Sequence, residues 1–400
     1  MTLRHNNISY IRDGAFGAFS CTLQEFRLDL SYNNISSFSN GALFGLENCN
    51  LQLNLNFNRI EKIPHALAIL TNLKSLQLLG NPLINLDTSA LVNAGSTLSD
   101  FRFDLRHFST WPDVTLQLML ELETLETVGI PFEHIENTAF NHMTRLKHLK
   151  ISDTKLIAIP KALCNLNSLT TLNISNNAHF NNSGYSMFEV CGASNRSTIQ
   201  LDNLFFYGNK VNIFPNFMTM FPRIRKIGVG NNIIESMNED TLSGAPGLRA
   251  INMDDNLFTR IPYALNKFTE LTYVSLSDNR ISSVEGSDLA QLHDILTLDL
   301  DHNPLLYITH NAFENNPRLS TVYLSGTYLQ TIPVALTMLP SLSVVTLNDA
   351  RVTCTCDMPH LQHWTQANAI YFRNATCSNK PLLLQNFISE YPSVCMSSLS

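Results

Sequence analysis

The sequence is poor in charged residues and contains no long apolar run. Asp, Glu, Lys and Arg make up 15% of its 400 residues, against roughly 25% in an average soluble domain. The net charge of −7 argues against a nucleic-acid partner, because such proteins present a basic surface. No apolar stretch approaches the roughly 18 residues that a membrane-spanning helix needs. We therefore expect no membrane segment in this portion.

The short motifs of common catalytic and metal sites are also missing. The sequence contains no G-x-S-x-G, no H-E-x-x-H and no P-loop. Asp299, Asp301 and Asn303 are spaced like the start of an EF-hand loop, but Pro304 stands where that loop requires glycine. We expect no enzyme activity, no cofactor and no metal. A weak calcium site formed by Asp278, Asp299 and Asp301 is the alternative.

What the sequence does contain is one pattern that recurs from end to end. Residues 271–281 read L-x-x-V-x-L-x-x-N-x-I, and Asn256, Asn279 and Asn303 mark one position of this pattern at intervals of 23 and 24 residues. Within it, Val274 and Leu276 alternate with polar residues, which is the period of a β-strand. One unit cannot cover its own apolar face, so neighbours must stack. Such a period predicts a solenoid.

The pattern stops at residue 352, where a cysteine-rich segment begins. Cys354, Cys356, Cys377 and Cys395 surround a stretch that includes Trp364. With the preceding repeats, this segment resembles the extracellular leucine-rich-repeat proteins that carry a cysteine-rich C-terminal cap, such as Slit-like, Nogo-receptor-like and Toll-like ectodomains. The resemblance implies the disulfides Cys354–Cys377 and Cys356–Cys395.

The family resemblance and the repeat together predict an α/β solenoid. We expect a horseshoe with a concave parallel β-sheet, a mostly irregular or extended convex side with short helical turns, and a disulfide-linked C-terminal cap. The solenoid should span residues 1–351 in about 15 coils, with an uncapped first coil and a loop insertion at 178–198. The cap should span residues 352–396. Residues 397–400 should form a tail or the start of a linker. Because no signal peptide precedes the first coil, we interpret the chain as a portion of a longer precursor.

Four further cysteines lie within the repeats. Cys21 and Cys49 end successive coils, and Cys164 and Cys191 flank the insertion. Equivalent positions of stacked coils lie about 5 Å apart, which a disulfide can bridge. We predict that both pairs are bonded; buried free thiols are the alternative. This cysteine usage favours an oxidising compartment, so we expect a secreted or cell-surface glycoprotein.

Six N-x-[ST] sequons are candidate N-glycosylation sites, although an asparagine-rich chain of this length produces a similar number by chance. The two in the insertion are the strongest candidates, and Asn173 projects from the predicted concave sheet, where a glycan would obstruct that face. The six asparagines are Asn7, Asn34, Asn173, Asn181, Asn195 and Asn374.

The concave face is the predicted ligand-binding surface. Along successive coils its side chains change from basic to acidic, with aromatic residues between them, and aromatic and charged residues together form interface hot spots. The candidate residues are Phe205, Tyr207, Arg225, Arg249, Asp254, Tyr273, Asp278, Asp299, Asp301 and Tyr323. An ordinary solvated sheet surface would have a similar composition.

Two functions fit these observations. The first is a non-catalytic extracellular recognition or adhesion module, which binds a protein or glycan on the concave face. The second is a structural subunit of an extracellular filament or coat, in which copies of the chain contact one another end to end. The resemblance implies no particular ligand, because this fold serves many tasks.

Overall fold

The computed structural model describes residues 1–19, 21, 25–180, 199–215, 221–238, 245–364, 370–372 and 375–396. The chain divides into two compact units, Met1–Leu201 and Asp202–Ser400. The boundary predicted between solenoid and cap, at residues 351 and 352, falls inside the second unit and stays a prediction.

The first unit is built on a parallel sheet whose strands follow one another in chain order. Strands β2 and β4 to β9 form this sheet, while β1 pairs with β3 in a separate two-stranded one. The strands are β1 (Tyr10–Ile11), β2 (Glu25–Asp29), β3 (Ser37–Phe38), β4 (Asn50–Asn54), β5 (Leu73–Leu78), β6 (Asp100–Asp104), β7 (Thr124–Val128), β8 (His148–Ser152) and β9 (Thr171–Ser175).

The second unit repeats this arrangement with shorter strands. Strands β10 to β13, β15, β17 and β18 are parallel and in chain order, and β14 pairs with β16 in a separate sheet. The strands are β10 (Asn203–Phe205), β11 (Lys226–Gly228), β12 (Ala250–Asn252), β13 (Tyr273–Ser275), β14 (Ser283–Val284), β15 (Thr297–Asp299), β16 (Tyr307–Ile308), β17 (Thr321–Tyr323) and β18 (Val344–Thr346).

Short helical turns connect the strands. Five of them begin directly after a proline, at Pro64, Pro112, Pro160, Pro262 and Pro333. Proline suits the position before a helix, because its φ is fixed and its missing N–H is not needed there. The helices are α1 (Thr88–Leu91), α2 (Asp113–Leu116), α3 (Val334–Thr337) and α4 (Leu384–Met396), and the 3-10 turns are His65–Ile69, Lys161–Asn165, Tyr263–Lys267 and Pro359–His363. The predicted parallel-sheet solenoid is confirmed.

The alternation seen in the sequence separates the core from the sheet surface. Leu271, Val274 and Leu276 are 0% exposed, whereas Tyr273 is half-buried on the other face. Strands such as β4, β7 and β12 bury alternate residues in this way, which puts an apolar layer beneath the sheet.

The asparagine of each regular coil ties that coil to its neighbour. Asn279 Nδ2 donates to the carbonyl oxygens of Leu276, Ser277 and Met253 at 3.1, 3.0 and 3.0 Å, and its Oδ1 accepts from Phe258 N at 3.0 Å. Asn303 makes the equivalent four bonds one coil later. Backbone groups that would otherwise be buried without a partner are therefore paired.

Disulfides close both cysteine-containing regions that the structure describes. Cys21 and Cys49 are bonded, with their Cα atoms 5.0 Å apart. In the cap, the bonds are Cys354–Cys377 and Cys356–Cys395, with Cα separations of 5.6 and 5.3 Å, so the pairing implied by the family resemblance is confirmed. Cys164 is disulfide-bonded, while its predicted partner, Cys191, and residues 181–198 of the predicted insertion lie outside the described residues.

The cap contains one long helix that the sequence analysis does not predict. Helix α4 includes Pro392, a residue that normally ends a helix. Tyr391 anchors it, because its hydroxyl donates to Cys356 O at 2.7 Å and accepts from Met358 N at 3.1 Å. No helix in the described part of the chain is both long and apolar enough to cross a membrane.

Candidate functional site

The strand register of the second unit gathers tyrosine and aspartate side chains on the exposed face of its sheet. Ser275 on β13 is level with Asp299 on β15, which in turn is level with Tyr323 on β17. Neighbouring strands lie about 5 Å apart, so these side chains are adjacent. We call this surface the tyrosine–aspartate face and define it by six half-buried residues: Tyr207, Asp254, Tyr273, Asp299, Asp301 and Tyr323.

Two glycines make room for the first tyrosine of this face. A methyl group at Gly228 would lie 2.0 Å from Tyr207 Oη, and one at Gly230 would lie 3.2 Å from Tyr207 Cδ1. The tyrosine ring therefore crosses the glycine backbone of the next coil. Phe205 stacks beside it, with a distance of 6.0 Å between ring centroids. Glycine within a strand often marks such a close approach.

Asp254 joins its own coil to the next one. Its Oδ1 accepts from Ser277 N at 3.0 Å, and its other oxygen accepts from the side chain of Asn252. Asp301 does the same two coils later, because its Oδ1 accepts from Ser325 N at 2.6 Å. These bonds fix the direction of both carboxylates.

Asp299 ends β15 two residues before Asp301 and has the most perturbed acidity on the face. Burial raises its pKa to about 6, and the negative charges of Asp301, Asp254 and Asp278 add to the effect. A hydrogen bond from Asp301 N at 3.0 Å acts in the opposite direction. Burial also raises the pKa of Tyr273, with Asp254 and Asp299 contributing. The mutual influence of these groups shows that they form one cluster.

Three carboxylates lie at the centre of this face. Within the described part of the chain, neither Asp254 nor Asp299 nor Asp301 forms an ion pair with a lysine or arginine. Concentrated negative charge of this kind attracts a cationic ligand and repels an anionic one.

The sheet of the first unit differs because several of its carboxylates pair with basic residues of the same sheet, although Asp29 on β2 accepts hydrogen bonds from Ser31 instead. Arg102 contacts Asp100 at 2.9 Å and Glu126 at 3.6 Å, and Lys150 contacts Glu126 at 2.6 Å. Charged residues are therefore present on both sheets, but only the second sheet presents a set of carboxylates without partners among the described residues.

The remaining predicted residues lie at the margin of this face. Arg225 and Arg249 precede β11 and β12 and pair with Asp202 at 4.0 Å and Glu270 at 3.6 Å. Asp278 is exposed in the turn after β13, where its carboxylate is 3.8 Å from the His302 ring. The two arginines that the sequence predicted for a basic patch therefore form ion pairs at the edge of the face. The predicted aspartates Asp254, Asp299 and Asp301 lie at its centre.

The sequence analysis overlooked the supporting residues of the face. Gly228, Asn252 and Ser275 shape it, as the contacts of Tyr207 and Asp254 show. The alternating glycines of the sequence G-V-G at 228–230 are the one available signal, because glycine in a strand indicates a close approach.

Three of the six candidate glycosylation asparagines lie among the described residues, and each of these forms a side-chain hydrogen bond. The side chains of Asn7 and Asn34 hydrogen-bond to each other, and Asn173 bonds to Ser175 on β9. Asn181, Asn195 and Asn374 lie outside the described residues, and modification of all six stays a prediction. In the described ranges, no group of three or more His, Cys, Asp or Glu side chains could hold a metal ion.

Comparison with known proteins finds a family model that matches part of the chain. The family model "Leucine rich repeat" matches residues 122–178 and 222–281. The CD180 antigen of Mus musculus is 24% identical over 372 residues, which cover 90% of this chain and 51% of that protein. Toll-like receptor 9 of Mus musculus is 24% identical over 73% of this chain and 30% of its own length. The chain spans about half the length of CD180 and of bovine asporin.

Solved structures show the same fold at low sequence identity. The mouse RP105/MD-1 complex contains a chain that matches 97% of this one with a TM-score of 0.66 and 16% identity, over 74% of its own length. A leucine-rich-repeat protein of Leptospira interrogans matches 76% of this chain, and 72% of its own, with a TM-score of 0.59 and 23% identity. This chain is similar to leucine-rich-repeat proteins, and it folds as a parallel-sheet solenoid with a disulfide-linked, cysteine-rich C-terminal segment.

Proposed function

We propose that the chain is a non-catalytic, extracellular recognition module that binds a protein through the tyrosine–aspartate face. One observation carries this proposal: three tyrosine rings and three carboxylates lie together on the face, and those carboxylates have no basic partner among the described residues. Tyrosines supply contact area at a low entropic cost, and directed charges supply specificity.

The relatives support the same class of function. Three of them are receptors by name, namely Toll-like receptors 9 and 4 and a leucine-rich-repeat-containing G-protein coupled receptor. The RP105 structure is a complex with MD-1. The disulfides support an extracellular location, because such bonds persist in oxidising compartments. The identity of the partner does not transfer at 24% identity.

The experiment compares two double variants of the full chain for binding to a panel of purified extracellular proteins. Tyr273→Ala with Asp299→Ala removes a ring and a charge from the face. Tyr263→Ala with Asp294→Ala is the matched control, because it removes the same residue types from other positions, where Tyr263 is 59% exposed and Asp294 pairs with Arg318.

We expect the face variant to bind each identified partner at least about tenfold more weakly, a loss of roughly 1.4 kcal/mol, and the control to bind like the unmodified chain. Both must retain the thermal stability of the parent. Equal weakening by both variants, or none by the face variant, would contradict the proposal.

The alternative function, a structural subunit of an extracellular filament, is tested on the same purified proteins, the unmodified chain and the two double variants. A structural subunit that assembles end to end should grow in size with protein concentration. We expect sedimentation to give one concentration-independent species in the micromolar range, because the proposed binding face is directed toward a different protein. Concentration-dependent growth that survives in the face variant would favour the filament.

A further inference from the structure

The first unit contains a cavity of about 320 Å³ beside helix α2, with apolar and polar side chains in its lining. It lies where Trp111-Pro112 takes the place of the Ile-Pro pairs found in other coils, such as Ile63-Pro64 and Ile159-Pro160. Trp111 is 8% exposed. Tryptophan fills this core position as isoleucine does, but it also brings an indole N–H, which packing alone does not require.

Two unsatisfied polar atoms belong to residues that line this cavity. Trp111 Nε1 and Asp113 Oδ1 are both buried, and neither has a hydrogen-bond partner among the described residues. One is a donor and the other an acceptor. A buried tryptophan N–H normally finds a partner, and leaving a buried polar group unpaired costs about 1–3 kcal/mol, more for a carboxylate.

The surroundings of these two atoms restrict which ligand could form hydrogen bonds with both of them. Asp113 Oδ2 accepts from Gln117 Nε2 at 2.6 Å, so the carboxylate is oriented by its own helix. The rim is apolar, since Ile84 is 43% and Val114 72% exposed. The volume is near the lower end of the roughly 300–1,000 Å³ usual for small-molecule sites, which limits a ligand to about one sugar unit.

We propose that this cavity binds an N-acetylhexosamine unit of a glycan through its acetamido group. The acetamido carbonyl accepts from Trp111 Nε1, and its N–H donates to Asp113 Oδ1, so that one planar group satisfies both atoms. The sugar hydroxyls meet polar lining residues such as Asn85 and Ser109. Because both atoms are buried, their side chains must shift to admit the sugar, and we expect millimolar affinity. The proposal is independent of the tyrosine–aspartate face.

Tryptophan fluorescence of the full chain provides the test, because the sequence contains only two tryptophans and Trp364 belongs to the second unit. The chain is titrated with N-acetylglucosamine, with glucose, which lacks the acetamido group, and with N-acetylglutamine amide, which represents a protein side chain. Trp111→Ile introduces the residue found in the equivalent coils, and Asp113→Leu removes the acceptor at a similar side-chain size.

We expect saturable fluorescence change with N-acetylglucosamine and none with glucose. Calorimetry should show binding weakened at least about tenfold in both variants. If Trp111→Ile does not fold, the affinity of Asp113→Leu decides between the outcomes. The proposal is overturned by an equal response to glucose, by no saturable response, by unchanged affinity in Asp113→Leu, or by binding of N-acetylglutamine amide alone.

Discussion

At the residue scale, the buried asparagines stabilise the fold, whereas the half-buried aspartates perturb one another. The sequence pattern predicts the role of Asn279, because the repeat spacing places one asparagine at the end of each strand. It does not predict the acidity of Asp299, which depends on burial and on carboxylates from neighbouring coils. The distances between carboxylates of neighbouring coils depend on how the coils stack, and the repeat pattern does not contain them.

Replacing Asn279 with alanine should destabilise the chain strongly. The change removes four hydrogen bonds and leaves buried carbonyls and an amide unpaired, for which we expect a loss of about 2–4 kcal/mol in the free energy of unfolding. Urea unfolding measures it. Asn315→Ala, at an exposed position, is the control and should change stability by less than about 0.5 kcal/mol. Equal effects would disprove the role assigned to Asn279.

Asp299 should make stability depend on pH. Its pKa is about 6 in the folded chain against 3.8 for the ordinary group, so the folded state binds the proton more tightly. The stability that this proton confers is fully present below about 3.8 and is lost as the pH rises through about 6. Asp299→Asn should therefore unfold like the parent at pH 3.5 and be more stable at pH 7.

Solvent screening limits that difference to about 1 kcal/mol, because Asp299 is only half-buried. Urea unfolding at both pH values measures it, with Glu314→Gln, an exposed carboxylate, as the control. A parent chain that becomes less stable than Asp299→Asn only at low pH would reverse the sign and refute the assignment.

At the element scale, regular strands are predictable and irregular cap elements are not. The alternation around Val274 predicts β13 because burial is periodic there. Helix α4 could not be predicted in this way, since it contains Pro392 and is fastened by contacts from residues 356 and 358, more than 30 positions earlier in the chain.

The bond between Cys356 and Cys395 should hold α4 in place. It closes a segment of 39 residues, and replacing both cysteines with serine should cost about 2–4 kcal/mol. Amide hydrogen exchange should accelerate in α4 and remain unchanged in β4 to β7. Cys21→Ser with Cys49→Ser is the matched pair in the first unit. Unchanged exchange in α4 would mean that packing alone secures the cap.

Gly228 tests how the strands position the face. Alanine there would place its methyl group 2.0 Å from Tyr207 Oη, so the flexible tyrosine must move while the backbone need not. We expect a loss of less than about 1 kcal/mol in stability, together with at least about fivefold weaker partner binding. Gly247→Ala, which meets nothing within 4 Å, should change neither quantity.

At the scale of the whole molecule, the two units share one architecture but differ in the charge of their sheets. In the first unit, Arg102, Arg106 and Lys150 pair with carboxylates of the sheet. In the second, Asp254, Asp299 and Asp301 have no basic partner among the described residues. The sequence indicated a change from basic to acidic columns. The sequence does not show which of these charged residues pair with each other, because the pairs depend on the register of neighbouring strands.

The most direct test of the recognition surface is hydrogen exchange of the full chain with and without a bound partner. We predict that protection on binding concentrates in segments 250–256, 273–279, 297–302 and 321–325, and that the strands of the first unit exchange unchanged. Protection confined to the connecting turns at 263–267 and 334–337, with none on β12 to β17, would contradict the account.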